Sequence, residues 1–323
     1  MKKIYEYLNL SKGLFFYLLI AISLICFPKA INYFSGTNID LSEIVANGWN
    51  IIAGIVVLIY VLIMFCVNIF KVRKICIIKI DGLKGKTLKE ETIVLLAQKQ
   101  NDFYTINCER FDEDDLNKAV TKLIYKNEFY NERKINCDKH IFYGVSYTPF
   151  IFLLGILYGN VNKKYEFYHY FRPSLLETKF KKLKKTKETK YKINIIDNDK
   201  KSSEIVISLS TSLKIGDDIG PVFNDLRHIR IESEDFHFDT LNNKSKMNFY
   251  AGKVVETIRK FQNDYEKIHL LLSTSTEITF LLGTLLSTNY YKNINVYHYD
   301  KENPIKYTWS IGSKTKKILM TKE

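Results

Sequence analysis

Two apolar stretches dominate the start of the chain, and a different rhythm takes over after them. Residues 49 to 70 carry no charged side chain, and as a helix they would extend about 33 Å, enough to cross a hydrocarbon core of about 30 Å. Residues 14 to 27 are apolar but fewer. They reach spanning length only if the helix continues past Pro28 and Lys29 toward Phe34, with the lysine snorkelling near an interface. The pattern therefore predicts a two-helix membrane hairpin over residues 1 to 70. Beyond it, β-type runs such as residues 75 to 80 and 205 to 209 alternate with helical patterns such as residues 88 to 98 and 116 to 125. Strand and helix in alternation predict an α/β fold with parallel sheets, and in such sheets ligands sit at the carboxyl ends of the strands.

The later part of the chain is written twice. Residues 139 to 148, KHIFYGVSYT, lead to FLLG at 152 to 155, and residues 267 to 276, KIHLLLSTST, lead to FLLG at 280 to 283. Each copy runs on to Tyr-His-Tyr, at 168 to 170 and at 297 to 299. The offset is 128 for FLLG and 129 for Tyr-His-Tyr, so the copies differ by one loop residue. Each half also opens with a strand and a small, polar loop carrying a lysine: Lys84 after the first, Lys214 after Ser210, Thr211 and Ser212 in the second. An offset of 130 superimposes the two lysines. A duplicated α/β unit is a built-in pseudo-dimer with one pocket on its own two-fold axis, suited to a ring-like or repetitive ligand.

Charge narrows the partner and the topology. The net charge is +13. Residues 1 to 70 hold four lysines against three acids, which leaves +12 on residues 71 to 323. Such an excess suits nucleotide phosphates or an anionic membrane surface. Lys2, Lys3 and Lys12 precede the first apolar segment and Lys71, Arg73 and Lys74 follow the second, whereas the intervening loop has only Asp40 and Glu43. By the positive-inside rule both termini face the cytoplasm. A signal peptide is the competing reading of the first segment, but no small-residue cleavage site follows it. The five cysteines are scattered, which suits a reducing compartment and points to no disulfide framework.

The motifs argue for binding rather than turnover. Gly85-Lys86-Thr87 fails as a nucleoside-triphosphatase loop, because the position that needs the first glycine is Ile80. Small residues and a lysine after a strand can still present backbone N–H groups and a cation to a phosphate; a plain turn is the alternative. Thr274 and Glu277 have capping-box spacing at the start of the second FLLG helix, where Glu277 would repel a phosphate. The matching loop Ser146-Tyr147-Thr148 precedes a helix starting at Pro149. The basic tract of residues 179 to 187 reads as a linker or as a contact to anionic headgroups. The acidic runs at 112 to 115 and 232 to 235 and the half-spacing Cys137-x-x-His140 fall short of a metal site. His169 and His298 read as sheet-face residues, and no catalytic constellation has a recognisable spacing.

Residues 269 to 286, HLLLSTSTEITFLLGTLL, with NVYHY at 295 to 299 and Tyr307-Thr308-Trp309, resemble the carboxy-terminal signature of SAVED domains, sensors of bacterial anti-phage systems, chiefly CBASS, built like two fused CARF modules. The resemblance is specific over about residues 260 to 312 and looser over 130 to 172; where the family pattern often has proline, this chain has Thr276. With the apolar hairpin it implies a transmembrane SAVED effector: residues 1 to 70 as the anchor, then a pseudo-duplicated Rossmann-like domain with CARF-like halves at 71 to 178 and 193 to 323, joined by a linker at 179 to 192. It further implies no enzyme, no metal and no nucleic-acid polymer. The expected partners are a cyclic oligonucleotide, a cyclic trinucleotide in particular, made by a nucleotidyltransferase, the inner-membrane bilayer, and further copies of the chain. The expected ligand contacts are Lys84, Lys214, Ser210, Thr211 and Ser212 for phosphates, and Ser146, Thr148, Thr274, Ser275 and Thr276 for phosphates or bases. Arg172, Tyr307 and Trp309 are expected to supply charge and stacking. Competing readings are a membrane-tethered enzyme that degrades such rings, an effector gated by type III CRISPR cyclic oligoadenylate, and a constitutive membrane scaffold.

Overall fold

The computed structural model describes residues 75 to 81, 103 to 108, 116 to 132, 139 to 159, 165 to 171, 179 to 186, 191 to 236, 243 to 287, 291 and 293 to 321. The hairpin expected at residues 1 to 70 lies outside them; among the described residues, no helix is long and apolar enough to cross a membrane. Lys84, Arg172, Cys137 and the acidic run at 112 to 115 also lie outside.

Residues 73 to 323 form one compact unit containing two sheets. The first has the order β2-β1-β3-β4-β5, from β1 (Ile75–Asp81), β2 (Phe103–Cys108), β3 (Lys139–Val145), β4 (Tyr165–Phe171) and β5 (Lys179–Lys182). The second adds β6 (Ile193–Asp197), β7 (Glu204–Ser210), β8 (Arg227–Ser233), β9 (Lys267–Ser273), β10 (Ile294–Tyr299), β11 (Tyr307–Gly312) and β12 (Ile318–Met320). Its order is β12-β11-β10-β9-β7-β8-β6. Stripped of β6 and β12, its strands β8-β7-β9-β10-β11 repeat the first sheet one for one. In both halves the first three pairings are parallel and the last is antiparallel.

Register refines the duplication. Ile80 faces Gly144 and Leu209 faces Leu272, so with β3 and β9 related by 128 residues, β1 and β7 are related by 129. That register ends with β1 and β7; the offset of 130 that pairs Lys84 with Lys214 rests on the sequence, since Lys84 lies outside the described residues. The basic tract also differs from its expected role. Lys179–Lys182 pairs antiparallel with β4, because Phe180 packs edge-on against Tyr143 at 5.2 Å and Lys182 pairs with Glu166 at 2.5 Å. Period-two alternation with one aromatic is enough to make a strand of a lysine-rich segment.

The described residues also form the helices α1 (Leu116–Glu132), α2 (Thr148–Tyr158), α3 (Lys244–Phe261) and α4 (Thr276–Leu285). The two FLLG helices are α2 and α4, and they cross at their glycines. A Cβ on Gly155 would lie 2.2 Å from the Phe280 carbonyl oxygen, and one on Gly283 would lie 2.2 Å from that of Phe152. This reciprocal contact is the pseudo-two-fold axis read in atoms, and it explains why the motif ends in glycine in both copies. Around it Phe142 stacks on Phe280 at 4.1 Å and Phe150 packs on Trp309 at 5.3 Å. The halves thereby share their main core, and each keeps a smaller apolar cluster on the opposite face of its own sheet.

Candidate functional site

Each half ends β3 or β9 at the start of an FLLG helix, and each helix start leans on the other half. In the first half Val145 closes β3 and Tyr147 is the N-cap of α2, with no side-chain hydrogen bond to the helix. The Tyr147 ring meets His298 of β10 edge-on at 4.8 Å and Trp309 of β11 at 6.3 Å. In the second half Ser275 is the N-cap of α4, its side chain accepting from the Ile278 amide. Glu277, fully buried, accepts from or shares a proton with His169 of β4 at 3.1 Å. Both Tyr-His-Tyr histidines thus bridge the halves, a role their sheet-face assignment did not anticipate. The capping box expected from Thr274 and Glu277 is replaced by the Ser275 cap, because Glu277 turns to the other half.

The carboxyl edge of the second sheet is knitted together. The Thr211 and Ser212 amides donate to the Ser273 carbonyl at 2.9 and 3.1 Å. The Thr211 hydroxyl, in a residue 2% exposed, donates to the Thr274 hydroxyl at 2.9 Å, and the Leu213 amide donates to Ser273 Oγ at 3.0 Å. Ser210 is buried and holds its own loop by accepting from the Ile215 amide. Of the hydroxyls expected at this edge, Thr211, Thr274, Ser210 and Ser275 therefore build the loops. The Thr276 hydroxyl donates to Glu277 at 3.2 Å. Ser212 stands half-buried at the rim.

Lys214 lies at the same edge, but its ammonium is 3.4 Å from the carboxylate of buried Glu232. Glu232 lies 3.7 Å from Arg230 as well, and Arg230 pairs with Asp217 at 2.7 Å. The charge there is a mixed network rather than a bare cation. The acidic run at 232 to 235 disperses in the same way, with Glu234 3.6 Å from Lys192. His228 on the same strand sits 2.8 Å from the Ser208 hydroxyl, and burial together with nearby Arg230 pushes its pKa down to about 4.

The matching loop of the first half is tied down differently. Ser146 Oγ is buried and finds no hydrogen-bond partner among the described residues. It lies next to the α2 N-terminus, which has no acidic residue in its first turn, and Thr148 opens that helix. Tyr307 and Trp309, expected as a stacking pair, are split by a β-bulge between His298 and Tyr299. Trp309 faces α2, while Tyr307 packs on Phe223 at 5.9 Å on the other sheet face, so only Trp309 adjoins the seam. Among the described residues no group of three potential ligands could hold a metal.

Several solved structures are similar. They include the Acinetobacter baumannii Cap4 SAVED/CARF-domain containing receptor with the cyclic trinucleotide 2'3'3'-cAAA, 14% identical with TM-score 0.49, covering 80% of this chain and 55% of that one. The same receptor with 3'3'3'-cAAA is 16% identical with TM-score 0.47, covering 73% and 50%. The Moraxella osloensis Cap4 SAVED/CARF-domain containing receptor is 14% identical with TM-score 0.42, covering 70% and 47%. The chain spans about half the length of these receptors. No curated protein matches it. Residues 123–312, more than half of the chain, match the SMODS-associated and fused to various effectors sensor domain. With two sheets of repeated topology and a shared glycine crossing, the chain belongs to the SAVED family.

Proposed function

We propose that the protein is a membrane-anchored receptor for a cyclic oligonucleotide, a cyclic trinucleotide in particular. In this reading the ring is made by a partner nucleotidyltransferase after phage infection, and its capture gathers copies of the chain so that their two-pass anchors breach the bacterial inner membrane. The observation that carries the reading is the seam: two copies of one strand-to-helix turn, each braced on the opposite half, in a sensor family. A pseudo-symmetric seam suits a ligand that repeats one chemical unit, and the basic excess of the chain suits its phosphates. Ser146, Thr148 and Ser212 offer hydroxyls, the α2 N-terminus offers partial positive charge, and Trp309 backs Tyr147 for stacking. Lys84 and Arg172 supply further cations, with Lys214 shared between Glu232 and the ligand. No bond need be broken. The ring must bind the assembled state more tightly than the free one, since equal affinity would shift nothing.

Dye release from proteoliposomes holding the full chain tests this across rings of two, three and four nucleotides, with a linear trinucleotide as control. The expected result is release by a trinucleotide ring alone. Binding without release would overturn the membrane step, and absence of binding to every ring would overturn the sensor itself. Loss of intact ring on chromatography after incubation would replace the receptor by an enzyme.

A further inference from the structure

The face of the second sheet turned away from α3 and α4 carries a cavity of about 250 Å³. It lies near the amino ends of β7 and β9, whereas the seam's loops leave the carboxyl ends. Its floor holds a polar trio. Tyr297 O–H donates to His269 Nδ1 at 2.7 Å, and His269 Nε2–H donates to Glu204 at 2.5 Å. His269 is 3% exposed and Tyr297 6%.

The duplication supplies an internal control. By strand register, Glu204 occupies the place of Ile75 and His269 that of Ile141, while Tyr297 matches Tyr168. In the first half Ile141 and Tyr168 pack into a small apolar cluster with Ile77 and Tyr143. The fold is therefore satisfied by isoleucine at the histidine position, and burying an imidazole hydrogen-bonded to a half-buried carboxylate is not a requirement of the topology. Buried polar groups carry a desolvation penalty that isoleucine would avoid. Their presence in one half only, against a cavity, marks a site rather than a scaffold.

We propose that this cavity binds a small neutral heterocycle, nucleobase-like in joining a hydrogen-bonding edge to apolar faces. Its size is below the roughly 300 Å³ at which pockets for drug-sized ligands begin. Its charges cancel: Lys267 lies 3.8 Å from Glu204, and burial pushes the His269 pKa down to about 4, which keeps the imidazole neutral. A net ion thus finds no unbalanced partner. Asn295 adds a carboxamide with both donor and acceptor to the floor, and Val222, Leu226, Leu319 and Met320 add apolar walls.

The test is saturation-transfer NMR and calorimetry on the full chain in detergent, with adenine, guanine, cytosine, uracil and their nucleosides as probes. The expected result is saturable binding of at least one probe, unaffected by saturating cyclic trinucleotide and weakened at least tenfold in the double variant E204I/H269I, which installs the first half's residues. No saturable binding to the intact protein, binding unchanged in the variant, or displacement by the ring would each overturn the proposal. Should the double variant fail to fold, Met320→Arg at the exposed rim serves instead: lost probe binding supports the site, and retained binding overturns it. Ring binding measured in parallel reports on the seam separately, so failure of one site leaves the other readable.

Discussion

Ser146 and Ser275 are neighbours in motif but not in duty. Ser275 caps its helix, whereas Ser146 keeps a buried hydroxyl without a partner among the described residues. Removing a cap destabilises by about 1 kcal/mol, whereas removing a hydroxyl that the proposed ring would engage weakens binding instead. Ser146→Ala is accordingly expected to lower ring affinity about tenfold, the effect of roughly 1.4 kcal/mol, with the melting temperature unchanged; calorimetry and thermal melting read the two quantities. Ser275→Ala is expected to do the reverse. The buried histidines set a second residue-scale expectation. His228 and His269 are both pushed from 6.5 down to about 4, chiefly by burial. Each is neutral when folded and would take up a proton when unfolded below about pH 6.5, so their contribution is complete above that value and is lost as pH falls toward 4. The melting temperature should hold steady above about pH 6.5 and decline between 6.5 and 4, and His228→Asn should flatten part of that decline.

At the scale of elements, the glycine crossing of α2 and α4 makes the sharpest demand. Gly155→Ala and Gly283→Ala each drive a methyl into a backbone carbonyl of the other half, and neither carbonyl can rotate away. Both should destabilise by roughly 3 kcal/mol, the upper range for overpacking, and by similar amounts, which chemical denaturation can check. Strand and helix alternation, the FLLG and Tyr-His-Tyr repeats and the parallel centre of each sheet were legible in the sequence, because period and repetition are local signals; the antiparallel flanking strands were not. Other features were hidden because packing decides them. Lys179–Lys182 reads as solvated until Phe180 is seen against Tyr143. The bulge that parts Tyr307 from Trp309 left no trace in residue type. The Glu204–His269–Tyr297 trio did leave one: a histidine inside the apolar run Lys267–Ser273, and isoleucine at its duplicate position.

For the whole molecule, residues 73 to 323 are compact by themselves, and the proposed labour divides accordingly. A chain lacking residues 1 to 70 is expected to retain ring binding within about twofold and to lose all dye release from liposomes, as followed by calorimetry and fluorescence. Equal loss of both would show that residues 1 to 70 contribute to the receptor. The crossing of α2 and α4 also bears on how a signal could leave the seam. Where main chain rests on main chain there is no cushion of side chains to compress and no slack for sliding. In the proposed receptor a rearrangement on capture of the ring would turn about that contact, as the blades of scissors turn about a rivet, so that small closures at the jaws would become wide sweeps at the far edges of both sheets.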